Sequence, residues 1–223
     1  MSDQHLVLAG GGHTHALILR RWAMNPGLRP NALITLISRY STTIYSGMIP
    51  GLIAGKYRNE EALIDLRLLA KKANVSFIVS QIVGVDIESK KLLLNRRSFI
   101  SFDILSFDVG SKTNVKMEDI IPKGDKHSLI PIKPIESALE LIKKEDKNCL
   151  DRQKPFRVVG SGLAAIEVIL ALRSRWPIRK LQLQINFEKL SKHFTRSLLE
   201  ANIDLISSNQ KIIGPALLCT GNK

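Results

Sequence analysis

Two short stretches of this sequence hold the residue types from which an anion cradle is built: Gly10-Gly11-Gly12-His13-Thr14-His15 and Gly160-Ser161-Gly162-Leu163-Ala164-Ala165. A pyrophosphate needs backbone N–H groups at the positive end of a helix, approached with no Cβ in the way. Gly10 and Gly160 can make the tight turn, and Gly12 and Gly162 can let a phosphate come close. The third glycine of G-x-G-x-x-G is a packing position, where helix and strand meet. Ala165 is a tolerated replacement there. His15 is too large for that place unless the helix stands farther out or the imidazole points elsewhere. One such turn is a weak signal, but two in the same register, 150 residues apart, read as a pair of dinucleotide-binding turns.

The elements around each turn follow the order this chemistry requires. Residues 5–9 read as a buried strand, 13–24 as a helix ended near Pro26 and Gly27, and "NALITLIS" (31–38) as a second strand. The later copy repeats this: "FRVVGSGLAAIEVILALRSR" (156–175) is strand, turn and helix, and "LQLQINF" (181–187) is a strand. Between them, "NEEALIDLRLLAKKA" (59–73) reads as one helix with an Asn cap, an acidic first turn and lysines at its end. Residues 75–111 read as short strands and turns, 112–134 as connection, and "PIESALELIKK" (134–144) as a helix with proline in its first turn.

A dinucleotide site of this kind usually carries an acid for the adenosine ribose at the end of the second strand, about 20 residues past the last glycine. In the first unit that place holds Ser38 followed by Arg39, and neither accepts two ribose hydrogen bonds as a carboxylate does. In the second unit the offset lands on Glu188, which reads equally as a plain surface acid. Glu167, within the second helix, either turns inward beneath a cofactor or faces solvent.

Composition narrows the remaining classes. With 223 residues, 44% of them hydrophobic and 24% charged, the chain is long enough for one or two globular domains. Cys149 and Cys219 lie far apart and form neither a C-x-x-C pair nor a metal-ligand pattern, so no metal site is expected. No apolar run approaches the roughly 20 residues of a membrane span, and no cleavable leader is evident, so a reduced cytoplasmic protein is the expectation. The net charge of +13 is spread in pairs rather than blocks, and only 5% of residues are aromatic. A basic surface that favours anionic cofactors accounts for this better than nucleic-acid binding.

Four segments together carry a family resemblance: "LVLAGGGHTHALILRRW", "ITLISRYSTTIYSGMIPGLIAGKY", "FDILSFDVGS" and "VVGSGLAAIEVILAL". They resemble the FAD-dependent pyridine nucleotide-disulfide oxidoreductase superfamily, and within it the type II NADH dehydrogenase-like flavoprotein found fused ahead of selenide, water dikinase. The resemblance implies an α/β, FAD/NAD(P)-binding Rossmann-like three-layer fold with two dinucleotide-binding units. It also makes His15 a branch variant of the FAD turn. Carried over residue by residue, Gly10, Gly11, Gly12 and His13 would lie along the FAD pyrophosphate, with His15 closing the motif, and Ser38 and Arg39 would flank the adenosine ribose. Ser46, Gly47, Met48 and Pro50 would approach the flavin ring, and Val83 would meet the adenine through its backbone. Gly110 and Ser111 match the second flavin motif, usually A-T-G-S and here Asp108-Val109-Gly110-Ser111. Lys133 and Pro134 match a segment that enters near the flavin, or simply start a helix. Gly160, Gly162, Glu167 and Glu188 would form the NAD(P)H side.

The implied organisation is an FAD-binding domain at 1–112, a connecting segment at 113–150 and an NAD(P)H-binding domain at 151–223. Against the family the chain is short: "ALLCTGNK" (216–223) resembles the second A-T-G-type strand, and the flavin-closing segment and C-terminal domain that should follow are not in the sequence. The resemblance therefore implies hydride passing from NAD(P)H to flavin, with an acceptor such as a quinone or a selenium- or sulfur-related partner. A selenophosphate synthase, or a chain that supplies the missing domain, is the partner expected. A disulfide acceptor is disfavoured, since no cysteine pair lies near Tyr45 to Pro50. The rival reading is a non-catalytic or decayed dinucleotide-binding module.

Overall fold

A computed structural model of the chain describes residues 4–111, 129–148, 150, 153–210, 212 and 214–219. The chain divides into two units, one of Met1–Ile49 with Asn59–Gly110 and one of Pro50–Arg58 with Ser111–Lys223.

The first unit is built on a parallel sheet. Strand β1 (His5–Ala9) leads through helix α1 (His13–Met24) to β2 (Leu33–Ser38). A small antiparallel pair follows, β3 (Thr42–Ile44) with β4 (Leu63–Asp65); the short helix α2 (Ile49–Ile53), between them in sequence, belongs from Pro50 onward to the second unit. Helix α3 (Leu66–Lys72) leads into β5 (Ser76–Val79). An antiparallel trio comes next: β6 (Ile82–Asp86), β7 (Lys91–Leu94) and β8 (Ile100–Ser101). The chain then returns as β9 (Ile104–Phe107), beside β1, and the parallel sheet reads β5-β2-β1-β9.

Alternation along the strands sorts the side chains into layers. Leu8, Ile34 and Leu36 pack on one face against Ala16 and Leu19 of α1 and Leu66 and Ala70 of α3. Val7, Ala9 and Ile37 pack on the other face against Leu92 and Leu94 of β7. Helices, parallel sheet and antiparallel sheet thus form the three layers of this unit.

In the second unit, β10 (Leu129–Pro131), α4 (Ile135–Glu145), β11 (Phe156–Val159), α5 (Leu163–Arg175), β12 (Leu181–Ile185), α6 (Lys192–Glu200), β13 (Asp204–Ser207) and β14 (Ala216–Leu218) follow in order. They form a parallel sheet of order β10-β14-β11-β12-β13. The ends of α4 and α5 are joined by ion pairs between their side chains and those just beyond them. Asp146 accepts from Arg175 Nε at 2.7 Å, Arg175 Nη2 at 2.6 Å and Trp176 Nε1 at 2.9 Å. The buried Arg179 guanidinium pairs with Glu145 and lies over the rings of Phe156 and Trp176.

Four local expectations are corrected. Residues 59–73 are not one helix: a 3-10 turn (Asn59–Ala62) and β4 come first. The cap that starts α3 is Asp65, whose carboxylate accepts from Leu68 N–H at 2.9 Å. Within the segment read as connection, residues 129–131 are a strand pairing with β14, while 112–128 lie outside the described residues. Strand β12 stops at Ile185, because the Asn186 side chain accepts from Glu188 N–H at 3.0 Å and caps a 3-10 turn, Phe187–Lys189. Pro134 is the cap residue of α4 rather than part of its first turn. The last residues of "ALLCTGNK", 220–223, lie outside the described residues.

Candidate functional site

Each unit brings a glycine turn from the end of a central strand to the start of a helix, by the same set of backbone bonds. Gly10 N–H donates to Ile37 O at 2.8 Å, and Gly160 N–H donates to Gln184 O at 3.0 Å. The neighbouring strand ends are held alike: Asp108 N–H donates to Ala9 O at 2.8 Å, and Cys219 N–H donates to Val159 O at 2.7 Å. Gly10 (φ +104°) and Gly160 (φ +151°) both adopt backbone that favours glycine. A Cβ would stand 2.2 Å from Asp108 O at the first and 2.5 Å from Cys219 O at the second. The turns are built to one plan, with Asp108 and Cys219 in equivalent places.

What surrounds the plan differs. In the first unit the third-glycine position holds His15, and its side chain turns into the protein, 1% exposed. Nδ1 lies 2.7 Å from Gly10 O and Nε2 lies 2.9 Å from Ser106 Oγ, so the imidazole staples the turn to β9. Its part is to hold the turn's shape, which is how the fold accommodates a residue too large for the packing position. Gly11 packs where a Cβ would stand 2.6 Å from Ser38 Oγ and 2.3 Å from Leu66 Cδ1. Ser38 is buried at the end of β2, and Arg39 lies exposed beside it with its guanidinium over the Tyr40 ring. At Gly12 a Cβ would meet the Asp108 carboxylate at 2.1 Å.

The segment from Tyr45 approaches the start of α1 in the same unit. The Tyr45 and His13 rings stack with centroids 4.6 Å apart. His13 Nδ1 is a buried atom with no hydrogen-bond partner. Ser46, Gly47 and Met48 form a 3-10 turn, and Ser46 and Gly47 are exposed. Gly110 (φ +73°) ends this unit with open space where a Cβ would stand. Val83 is exposed on β6, where the pairing register with β7 shifts.

Pro50 and Ser111 belong to the second unit, where Ser111 Oγ accepts from Lys133 Nζ at 3.0 Å. The second turn opens on a cleft of about 630 Å³ that includes Lys133, Gly160, Gly162, Gln184, Asn186 and Cys219 in its lining. Gly162 has nothing within 4 Å of where a Cβ would stand. Lys133 is the one charged residue among the lining residues. Glu167 is exposed on α5, and Glu188 is exposed three residues beyond the end of β12; neither lines the cleft. Asn186 does, directly after the strand, with its backbone N–H on Ser161 Oγ at 2.9 Å and its Oδ1 taken by Glu188 N–H. Burial pushes the Cys219 thiol up to about 12, so at neutral pH it is protonated and a poor nucleophile.

Asp108, Asn186, Cys219 and Tyr45 were not among the residues expected from sequence. Asp108 had a visible signal, since it stands where the motif that Asp108-Val109-Gly110-Ser111 resembles usually has Ala. Asn186 had one too: the apolar alternation of β12 ends at Ile185, one residue before it.

The residues fit a bound dinucleotide on three counts. His13 and Thr14 N–H, at the start of α1, have no acceptor among the described residues, and the same holds for Leu163 and Ala164 at the start of α5. Both helices lack an acid in their own first turn, and the open space at Gly162 lets an anion reach the second of them. Among the described residues, no group of three His, Cys, Asp or Glu could hold a metal ion, and no helix is long and apolar enough to cross a membrane.

No known family and no curated protein matches the chain. Solved structures do. The chain is similar to the sulfide:quinone oxidoreductase of the hyperthermophilic bacterium Aquifex aeolicus, with 18% identity, 97% of this chain and 58% of that one covered, and a TM-score of 0.73. It is similar to the water-forming NADH oxidase of Lactobacillus brevis bound to NADH, with 16% identity, 98% and 54% covered, and a TM-score of 0.71. It is similar to NDH2 of Plasmodium falciparum in complex with NADH, with 16% identity, 99% and 55% covered, and a TM-score of 0.70. The chain spans little more than half the length of these proteins. At such identities the likeness establishes the fold, an α/β dinucleotide-binding architecture.

Proposed function

We propose that this chain is the two-dinucleotide part of an FAD-dependent oxidoreductase that takes hydride from NAD(P)H. The observation that carries the reading is the repeated construction: two parallel sheets each deliver a glycine turn to a helix start whose N–H groups lack acceptors. Two such turns in one chain suit an enzyme that holds two dinucleotides at once. The likeness to a sulfide:quinone oxidoreductase and to two proteins bound to NADH supports it.

FAD, when bound, would supply the two-electron chemistry itself. The chain's part is positioning. Gly10, Gly11, Gly12 and His13 would face the FAD pyrophosphate, with the His13 and Thr14 N–H groups as donors. His15 would keep the turn in shape, and Ser38 and Arg39 would stand at the ribose. Ser46, Gly47, Met48, Val83 and Gly110, all of the first unit, would serve the rest of FAD. Gly160 and Gly162 would receive NAD(P)H, with Asn186 rather than Glu188 at its ribose. Cys219 would remain a neutral thiol and would not itself take the electrons. That acceptor, whether a quinone or a sulfur- or selenium-related partner, would be set by segments that the longer similar proteins do not share with this chain.

The test is the chromophore. The purified chain, or the chain mixed with FAD and desalted, should carry a flavin spectrum and release FAD on acid precipitation. A colourless chain that takes up no FAD would rule the reading out.

A further inference from the structure

The first turn carries an acid where its counterpart carries a thiol. Asp108 follows β9, and its carbonyl accepts from Gly12 N–H at 3.0 Å. Its carboxylate Oδ2 accepts from His15 N–H at 3.0 Å, at the third residue of α1. In the equivalent place of the second unit stands Cys219, and the corresponding N–H, that of Ala165, turns back to Gly162 O at 3.0 Å. No carboxylate lines the second cleft. The first turn therefore holds an anion of the chain itself on the positive end of α1, beside the two N–H groups still open to a ligand.

We infer that Asp108 is an affinity-setting residue of the first turn: its negative charge opposes a bound pyrophosphate and keeps dinucleotide binding there weaker and more readily reversed than the turn would otherwise make it. This rests on the reading of the first turn as a dinucleotide site. The physics is direct. The carboxylate and the phosphates draw on the same helix end, and like charges a few ångströms apart repel. The hydrogen bond to His15 N–H needs only an acceptor, so the cap and the charge can be separated by mutation. Asp108→Asn keeps an amide oxygen for His15 N–H and removes the charge, whereas Asp108→Ala removes both.

The experiment is an equilibrium titration of the full chain with FAD, followed by flavin fluorescence, for wild type and Asp108→Asn, at two ionic strengths, alongside thermal unfolding. The expected result is FAD binding about tenfold tighter in Asp108→Asn at low salt. Without ligand the melting temperature should fall slightly in Asp108→Asn, because the start of α1 loses its anion, and the gain in affinity should shrink as salt screens the repulsion. If Asp108 served only as a cap, Asp108→Asn would bind FAD as wild type does at both ionic strengths, and only Asp108→Ala would differ, which would overturn the inference. Equal or weaker binding by Asp108→Asn, with wild type binding FAD, would overturn the inference and leave the proposed function standing. Binding by Asp108→Asn where wild type binds none would support it strongly. Failure of wild type, Asp108→Asn and Asp108→Ala alike would overturn both the inference and the first turn's role as a flavin site.

Discussion

Gly10 and Gly162 are glycines of the same motif, but different requirements hold them. Gly10 answers to its own protein: a left-handed backbone and a carbonyl 2.2 Å from any Cβ. Gly10→Ala should therefore cost about 2 kcal/mol or more in chemical denaturation. Gly162 has open space in front of it, so Gly162→Val should change stability by less than about 1 kcal/mol while weakening NAD(P)H binding about tenfold or more by blocking the helix end. Equal losses of stability in both variants would contradict the open space in front of Gly162. The ribose position proposed for NAD(P)H gives a second residue-scale test. A neutral Asn186 does not repel a 2′-phosphate, and Asn186→Asp should shift preference from NADPH toward NADH by about tenfold in paired titrations. No change in that ratio would remove Asn186 from the ribose site. Sequence spacing lands on Glu188, which reads equally as a surface acid, because counting residues assumes a strand of fixed length. The strand ends early, where the Asn186 side chain caps the next turn, and that bond is invisible in a spacing rule.

At the scale of elements, what could be read in advance was whatever is periodic and locally capped. The strand over 5–9 and helix over 13–24 have the bounds expected, and so does the strand–turn–helix run over 156–175. The stretch 59–73 was misread because Asn59 and Asp65 both suit a helix start; pairing of Leu63–Asp65 with Thr42–Ile44 decides between them, and pairing is a long-range fact. Strand β10 is three residues of ordinary character that become a strand by lying beside β14. The junction of α4 with α5 carries a pH prediction. Hydrogen bonds from Arg175 chiefly, with Trp176 assisting, hold the Asp146 carboxyl below its ordinary value of 3.8 against the opposing effect of burial. A carboxyl depressed in the folded state contributes stability above its unfolded value and loses it as pH falls through the folded one. Stability at this junction should thus be level above about pH 4 and decline below it. Asp146→Asn should lower stability at neutral pH and flatten the acid limb, as unfolding followed between pH 2 and pH 7 would check. An acid limb unchanged in the variant would place the acid sensitivity elsewhere.

For the whole molecule, the two glycine turns were legible because a pyrophosphate cradle needs a local run of residues. The layers were not, since they depend on which strand lies beside which. Asp108 and Cys219 reach their turns only through parallel pairing of β9 with β1 and of β14 with β11, and nothing in their spacing from the glycines marks them as equivalent. The two turns follow one plan with different neighbours: a histidine and an acid at the first, an alanine and a neutral thiol at the second. That difference suits two dinucleotides with unequal demands. The measurement that tests this most directly is anaerobic addition of NADH and, separately, NADPH to the FAD-loaded chain, with the Gly162→Val variant alongside. The flavin absorbance should bleach in the wild-type chain and bleach far more slowly in Gly162→Val at the same nucleotide concentration. A flavin that stays oxidised with both nucleotides, or bleaches equally fast in the variant, would contradict the second turn's place in hydride transfer.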